Sequence, residues 1–365
     1  MARLAAILWC LVCVALMALV ALLASCRDGL SARRQPSESA SAARPRSSAP
    51  PATPTSVAAG FTVVAGGLVN PRGLAFAADG ALYVAEAGVG GPTEIDLGRK
   101  RSHLVGNTGR VSMVRPGQSP RPLLSELPSI VTAAREEVGP TGLTFVGDTL
   151  YLLTASGGWD VGDPAFDNRL YRVAAEGALQ PVLNLSELNL SEPSLARRQD
   201  PRADVPGGMP YGLVSLGGAL YATDGNQDQV IKITPDGRAH RILEYPASDR
   251  ALTGIATGPD DSLYVAEYAA GQISRVGPEG GSAMVATGLA LPIGLAFDPS
   301  GRLCVLEYVG QLVCLAGDGS RDVIASGLSQ PTAVALGPDG SFYVSNHGHF
   351  APDGQGQIVR VDARR

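Results

Sequence analysis

The sequence predicts an all-β fold: a six-bladed β-propeller of four-stranded antiparallel blades. Three observations carry that prediction. One phrase, roughly P-x-G-L-A-F-x-x-D-G-x-L-Y-V-A-E, recurs six times between Asn70 and Val361. Its period is about 40 residues with four short apolar runs per copy, the pattern of one small sheet per blade. A separate run at 61–68, FTVVAGGL, is spelled like the outermost run of the other copies.

The copies read NPRGLAFAADGALYVAE, GPTGLTFVGDTLYLLT, MPYGLVSLGGALYATD, LTGIATGPDDSLYVAE, LPIGLAFDPSGRLCVLE and QPTAVALGPDGSFYVSN. Gly-Leu-Ala-Phe marks strand a and Leu-Tyr-Val-Ala strand b. Ile-x-Arg-Val marks strand c, and a run ending near Gly-Leu marks strand d. The sixth copy stops after strand c, at Val361-Asp362-Ala363. Strand 61–68 therefore completes the last blade, joining both ends of the domain in one sheet and leaving no open edge. Seven blades would need a repeat that the sequence lacks.

Three segments precede or form the domain. Residues 1–25 read as a lipoprotein-type signal peptide: after Arg3 there is no charge until Arg27, and the run ends in Leu23-Ala24-Ser25-Cys26. That ending resembles a bacterial lipobox, which implies cleavage and lipidation at Cys26. An uncleaved signal anchor is the other reading, and both place the body outside the cytoplasmic membrane. Residues 26–59, rich in Ser, Ala, Pro and Arg without an aromatic, read as a disordered tether. Residues 60–365 are the propeller. Five Arg against Asp28 and Glu38 make the tether basic, and the whole-chain charge of −5 leaves the body acidic. An acidic body argues against nucleic acid, and a basic tether suits anionic lipid. The chain is read as a monomer.

Aligning the copies pairs the tyrosine of strand b with a basic residue of strand c. The pairs are Tyr151 with Arg172, Tyr221 with Lys232, Tyr264 with Arg275 and Tyr343 with Arg360. Stacking of phenol under cation is the expected contact. In the first blade Tyr83 meets Met113, and in the fifth the two positions are Cys304 and Cys314. Directly opposite cysteines in an exported domain suit a structural disulfide, the alternative being two buried thiols.

The a–b and c–d turns are short, on Asp79-Gly80 or Asp339-Gly340 for example, so all extra length falls on the opposite face. Its insertions are the b–c loops 87–109, 155–168 and 347–356 and the d–a connection 184–208. Blades six, one and two adjoin, so these should wall one side of that face, where binding is expected. Strand b ends there in Glu86, Thr154, Asp224, Glu267, Glu307 and Asn346. Strand a starts, nearest the axis, with Arg72, Thr141, Tyr211, Thr253, Ile293 and Thr332. A carboxylate-rimmed mouth could hold Ca²⁺ or Zn²⁺ through Glu86, Asp224, Glu267 and Asn346, although no cofactor is predicted outright. A residue recurring at one register in every blade equally suits a structural role, accepting backbone N–H bonds from its own loop. His347 and His349 flank one glycine and read as loop histidines. No histidine is expected at the mouth near Arg72. There is no G-x-S-x-G elbow, H-E-x-x-H or P-loop, so no catalytic residue is assigned.

The opening FTVVAGGLVNPRGLAF, the insert after YVAEAGVGG, NTGRVSMV, PYGLVSLGGALYATDGNQDQVIKI and the closing YVSNHG with GQIVRV together resemble the ScyD/ScyE family. The resemblance spans about residues 60–363 and implies an exported six-bladed NHL-like propeller of undefined activity. Gluconolactonase-like propellers resemble it more loosely, and they imply a catalytic divalent metal at the channel mouth. The leading expectation is a membrane-tethered binding module whose b–c loop face takes a small molecule, glycan or protein through Arg72, Trp159, Tyr211 and His347. A metal-dependent hydrolase or lactonase is the alternative.

Overall fold

The computed structural model describes residues 60–363, apart from 98–101, 116, 157–160, 175, 200–205, 248 and 352. Six antiparallel sheets follow one another along the chain. Blade 1 carries strands a to d at Pro71–Phe76, Leu82–Glu86, Ser102–Val114 and Arg121–Val131, and blade 2 at Pro140–Val146, Thr149–Thr154, Arg169–Val173 and Leu179–Asn184. Blade 3 is Pro210–Leu216, Ala219–Asp224, Gln229–Ile233 and Ala239–Glu244. Blade 4 is Leu252–Thr257, Leu263–Glu267, Gln272–Val276 and Ser282–Ala286, and blade 5 is Pro292–Phe297, Leu303–Glu307, Gln311–Leu315 and Arg321–Ser326. Blade 6 takes Ala333–Leu336, Phe342–Asn346 and Gly356–Val361 from the end of the chain, and Phe61–Leu68 from its start as strand d. Phe61 pairs with Val361, Thr62 with Arg360 and Val63 with Val359, so the expected clasp closes the ring.

The repeated glycine of strand a is a packing requirement. A Cβ on Gly73 would stand 2.3 Å from the Thr141 carbonyl of the next blade, and one on Gly254 2.7 Å from that of Ile293. Only a residue without a side chain lets neighbouring inner strands approach so closely. Hydroxyls then tie neighbouring blades together: Thr253 to the Pro292 carbonyl at 3.0 Å, Thr332 to that of Pro71 at 2.6 Å, and Ser345 of strand b to that of Arg72 at 2.6 Å. The last two bonds link blade 6 to blade 1, so the closed ring is cross-linked where its ends meet.

Every cross-strand pair read from the repeat is present, including Tyr264 with Arg275 and Tyr343 with Arg360. The side chains use that register differently from expectation. The tyrosine rings lie edge-on to the phenylalanine of the next blade, at 4.9 Å for Tyr264–Phe297 and 5.0 Å for Phe76–Tyr343. The guanidinium groups turn instead to the aspartate of the a–b turn: Arg275 reaches Asp260 at 2.6 Å and Arg360 reaches Asp339 at 2.9 Å. A full ionic hydrogen bond outcompetes a half-solvated cation–π contact. Of the expected pairs, only Lys232, 5.9 Å from the Tyr221 ring, keeps a cation over its phenol among the described residues. In blade 5, Cys304 and Cys314 are opposite, buried and joined in a disulfide.

Two of the insertions carry regular structure. In blade 1, part of the 87–109 insertion is sheet: Thr93–Asp96 pairs with the extended strand c, and Glu137–Val138 adds beyond strand d. A satellite core of Val105, Ile130, Val138 and Phe166 holds this extension against the blade 2 loop. The described part of the 184–208 connection carries two short helices, α1 (Leu185–Ser191) and α2 (Leu195–Gln199). Asn184 caps α1, its side chain accepting from the Glu187 N–H at 3.1 Å.

Candidate functional site at the axial mouth

The residues ending strand b are clamps. Glu86 accepts from the Val69 N–H at 2.6 Å and the Ser112 hydroxyl at 2.5 Å, and pairs with Arg110 at 2.8 Å. Asp224 accepts from the Met209 N–H at 2.8 Å and from the Asn189 amide at 2.9 Å, which bolts α1 to blade 3. Glu307 takes the Ala290 N–H at 2.9 Å, and Asn346 takes that of Ser329 at 2.7 Å. In each case the terminal side chain of strand b seizes the loop that enters strand a. Glu267 binds the Tyr245 hydroxyl at 2.8 Å and the Arg250, Gln272 and Ser274 side chains at 2.5 Å. Burial alone would raise its pKa, but these four donors outweigh it and hold the carboxyl below its ordinary value.

Glu86, Asp224, Glu267 and Asn346 are therefore engaged within their own surroundings. They do not converge on one point. Among the described residues the sole trio of histidine, cysteine or carboxylate ligands within 4.8 Å of one another is Asp298, Cys304 and Cys314. That trio is also spent: the sulfurs bond each other, and Asp298 holds Arg302 at 2.7 Å. The donor set does not fit a divalent metal.

Arg72 and Tyr211 do meet at the axis. The Tyr211 hydroxyl donates to the Thr332 carbonyl at 2.9 Å, from blade 3 to the opposite blade 6. Burial raises the Tyr211 pKa, with Arg72 pulling the other way. The buried Arg72 donates through Nη2 to the Glu137 carbonyl at 2.6 Å. Its Nη1 is buried with no hydrogen-bond partner among the described residues. Burial lowers its pKa, opposed by Tyr211 and Glu137.

The histidine at the mouth is His349, contrary to the expectation that none stands near Arg72. Its Nδ1 lies 3.9 Å from Glu137 Oε2, and Arg72 Nη2 lies 4.0 Å from the same oxygen. His349 Nδ1 is likewise buried without a hydrogen-bond partner among the described residues. Burial, then the Arg72 charge, holds its pKa well below the ordinary value, so the ring is neutral at pH 7. In the same loop the His347 N–H donates to the Ser329 carbonyl, and both His347 and Phe350 take left-handed backbone at φ 54° and 51°. Such residues concentrate where a loop is held in a set shape. The Phe350 N–H reaches Glu137 Oε2 at 3.2 Å, carrying the blade 6 loop across to blade 1. Trp159 lies outside the described residues, as does Cys26.

An arc of rings borders this cluster. Tyr268 and Tyr308 are 6.0 Å apart, Tyr308 and His349 5.9 Å, and His349 and Phe350 5.7 Å. Burial pushes the Tyr308 pKa up to about 12 against the pull of Arg72. The arc comes from blades 4, 5 and 6, whereas the sequence pointed to blades 6, 1 and 2. Tyr268 and Tyr308 each follow the terminal glutamate of strand b, and that shared place in the repeat was the available signal. A separate groove of about 590 Å³ lies beside Asp167, Arg169, Asn184 and Glu187 in blade 2. Asp167 there already binds Asn184 at 2.8 Å and Arg169 at 3.3 Å.

No family model matches the chain, and no curated protein matches it. Among solved structures it is similar to a gluconolactonase from Xanthomonas campestris, with a TM-score of 0.56 and 14% identity over 82% of this chain and 89% of that one. A putative oxidoreductase (glucose dehydrogenase) from Thermus thermophilus aligns at 0.54 and 19% over 82% and 98%. A catalytically inactive virginiamycin B lyase from Staphylococcus aureus, solved with quinupristin, aligns at 0.51 and 15% over 83% and 98%. The shared feature is the propeller. These neighbours differ in chemistry, so the likeness carries no reaction.

Proposed function

We propose that the chain is an exported, membrane-tethered propeller of the ScyD/ScyE type, whose axial mouth on the loop-bearing face binds a small molecule. One observation carries the reading: Arg72 Nη1 and His349 Nδ1 are buried without a partner among the described residues, side by side at Glu137. Buried polar atoms are normally satisfied, and unsatisfied ones cluster where a ligand completes them. The lipobox-like Leu23-Ala24-Ser25-Cys26 supports tethering. The metal-dependent hydrolase is the second reading: a gluconolactonase is among the similar folds, although the residues proposed as its ligands already bond their own surroundings.

Thermal-shift screening of the full chain against a metabolite library tests the binding role. Stabilising compounds are expected, and Phe350→Ala and Tyr308→Ala should abolish their effect while leaving the apo-protein folded. A library without a stabilising compound, or hits indifferent to both variants, defeats the proposal. Labelling with a lipid analogue tests the tether, since Cys26→Ala should lose the label.

A further inference from the structure

Arg72 departs from its own series. In blades 2, 4 and 6 the same position is Thr141, Thr253 or Thr332, whose hydroxyl bonds the neighbouring inner strand. One neutral hydroxyl therefore does the structural work of this site. A guanidinium there carries a charge it cannot shed, and burying it is costly unless it is fully paired. Arg72 is only partly paired: one bond to a carbonyl, a carboxylate at 4.0 Å beyond hydrogen-bond reach, and a free Nη1.

Charge decides what could complete it. Glu137 offsets the charge of Arg72, and Glu136, whose pKa burial raises, stands within electrostatic reach of both. A carboxylate or phosphate would be drawn to Arg72 but would meet Glu137 beside it. A neutral hydroxyl meets no such opposition. It can accept from Arg72 Nη1 and donate to His349 Nδ1, using both roles that a hydroxyl has. The rings of Tyr268, Tyr308 and Phe350 supply an apolar border suited to the C–H face of a compact ring, and Phe350 is 43% exposed.

The geometry points to a neutral polyhydroxylated ligand of saccharide size, with one hydroxyl bridging Arg72 and His349 and its ring face against Tyr308 and Phe350. This rests on the axial mouth being the ligand site. The test uses the full chain in lauryldimethylamine oxide, a detergent without a sugar headgroup. Saturation-transfer NMR and calorimetry are run with glucose, galactose, mannose and N-acetylglucosamine, and with gluconate, benzoate and phosphate as anions. At least one neutral sugar should bind more tightly than every anion, and Arg72→Gln should weaken it tenfold or more. Phe350→Ala, at an exposed position, should also weaken it and keeps the test valid if the Arg72 variant misfolds. Anions binding at the mouth in preference to sugars would overturn the ligand class and leave the binding site standing. If neither set binds, or binding ignores both variants, the class and the site fall together.

Discussion

Tyr211 and Thr332 stand in opposite blades, yet the phenol hydroxyl of one donates to the carbonyl of the other at 2.9 Å. A single side chain thus spans the channel from blade 3 to blade 6, and blade 6 is the one assembled from both ends of the domain. Tyr211→Phe keeps the ring, which packs against the blade 5–6 core, and removes only this bond. The expected cost is about 1 kcal/mol, the net worth of one neutral hydrogen bond. Urea denaturation reads it as a lower midpoint with an unchanged slope. An unaltered midpoint would show that the strap bears no load.

The clamps at the ends of strand b separate a structural role from metal binding. Glu86→Gln replaces an acceptor with an amide that faces the Val69 N–H, the Ser112 hydroxyl and Arg110. A loss of about 3 kcal/mol is expected, since a buried ionic acceptor has been removed from its donors. The loss should be the same with and without a chelator, and the parent protein's melting temperature should not move when chelator is added. A chelator-induced drop that Glu86→Gln abolishes would restore the metal reading.

The disulfide is expected to be a staple. Cys304 and Cys314, ten residues apart, close a short loop inside blade 5 and are both buried. Loop-closure entropy for so short a loop gives about 2–3 kcal/mol at most. The Cys304→Ala, Cys314→Ala double variant should lose no more than that, and its ligand binding should be unchanged. Mild reductant should leave the native protein oxidised when free thiols are counted.

Much of the ring was legible because the repeat aligns with itself. Self-alignment gives the register within a blade, and so it found the closing strand Phe61–Leu68 and the opposition of Cys304 and Cys314. It carries no information about contacts between blades: Tyr264 does pair with Arg275 in register, but its ring lies edge-on to Phe297 of the next blade instead of under the cation. The mouth was half legible. Arg72 and Tyr211 interrupt a series of threonines, and an interruption can be seen. Glu137 lies outside the repeat, on an added strand, and nothing in its spelling places it at the axis. His349 stands at Glu137 from a turn with left-handed backbone at His347 and Phe350. Local sequence pattern does not encode that turn.

Two buried groups should give the stability opposing slopes with pH. Burial raises Asp228 to about 6, against backbone N–H bonds from Arg250 at 2.7 Å and Leu252 at 3.2 Å. An unfolded aspartate titrates near ~3.9, so the folded state favours the protonated form. Its contribution is greatest at low pH and is lost as pH rises through about 6. A difference of that size corresponds to at most about 3 kcal/mol. His349 acts in the other sense. Its pKa is lowered, so its contribution is complete above the ordinary histidine value and is lost as pH falls below it. Asp228→Asn should remove that slope. It starts less stable at low pH, because its amide keeps one acceptor for two N–H donors, and should recover up to about 3 kcal/mol relative to the parent as pH rises to about 6. His349→Gln should instead flatten the loss on the acid side of about pH 6.5. Urea midpoints of the three proteins across that range would decide it, and parallel curves would place neither titration in the folded core.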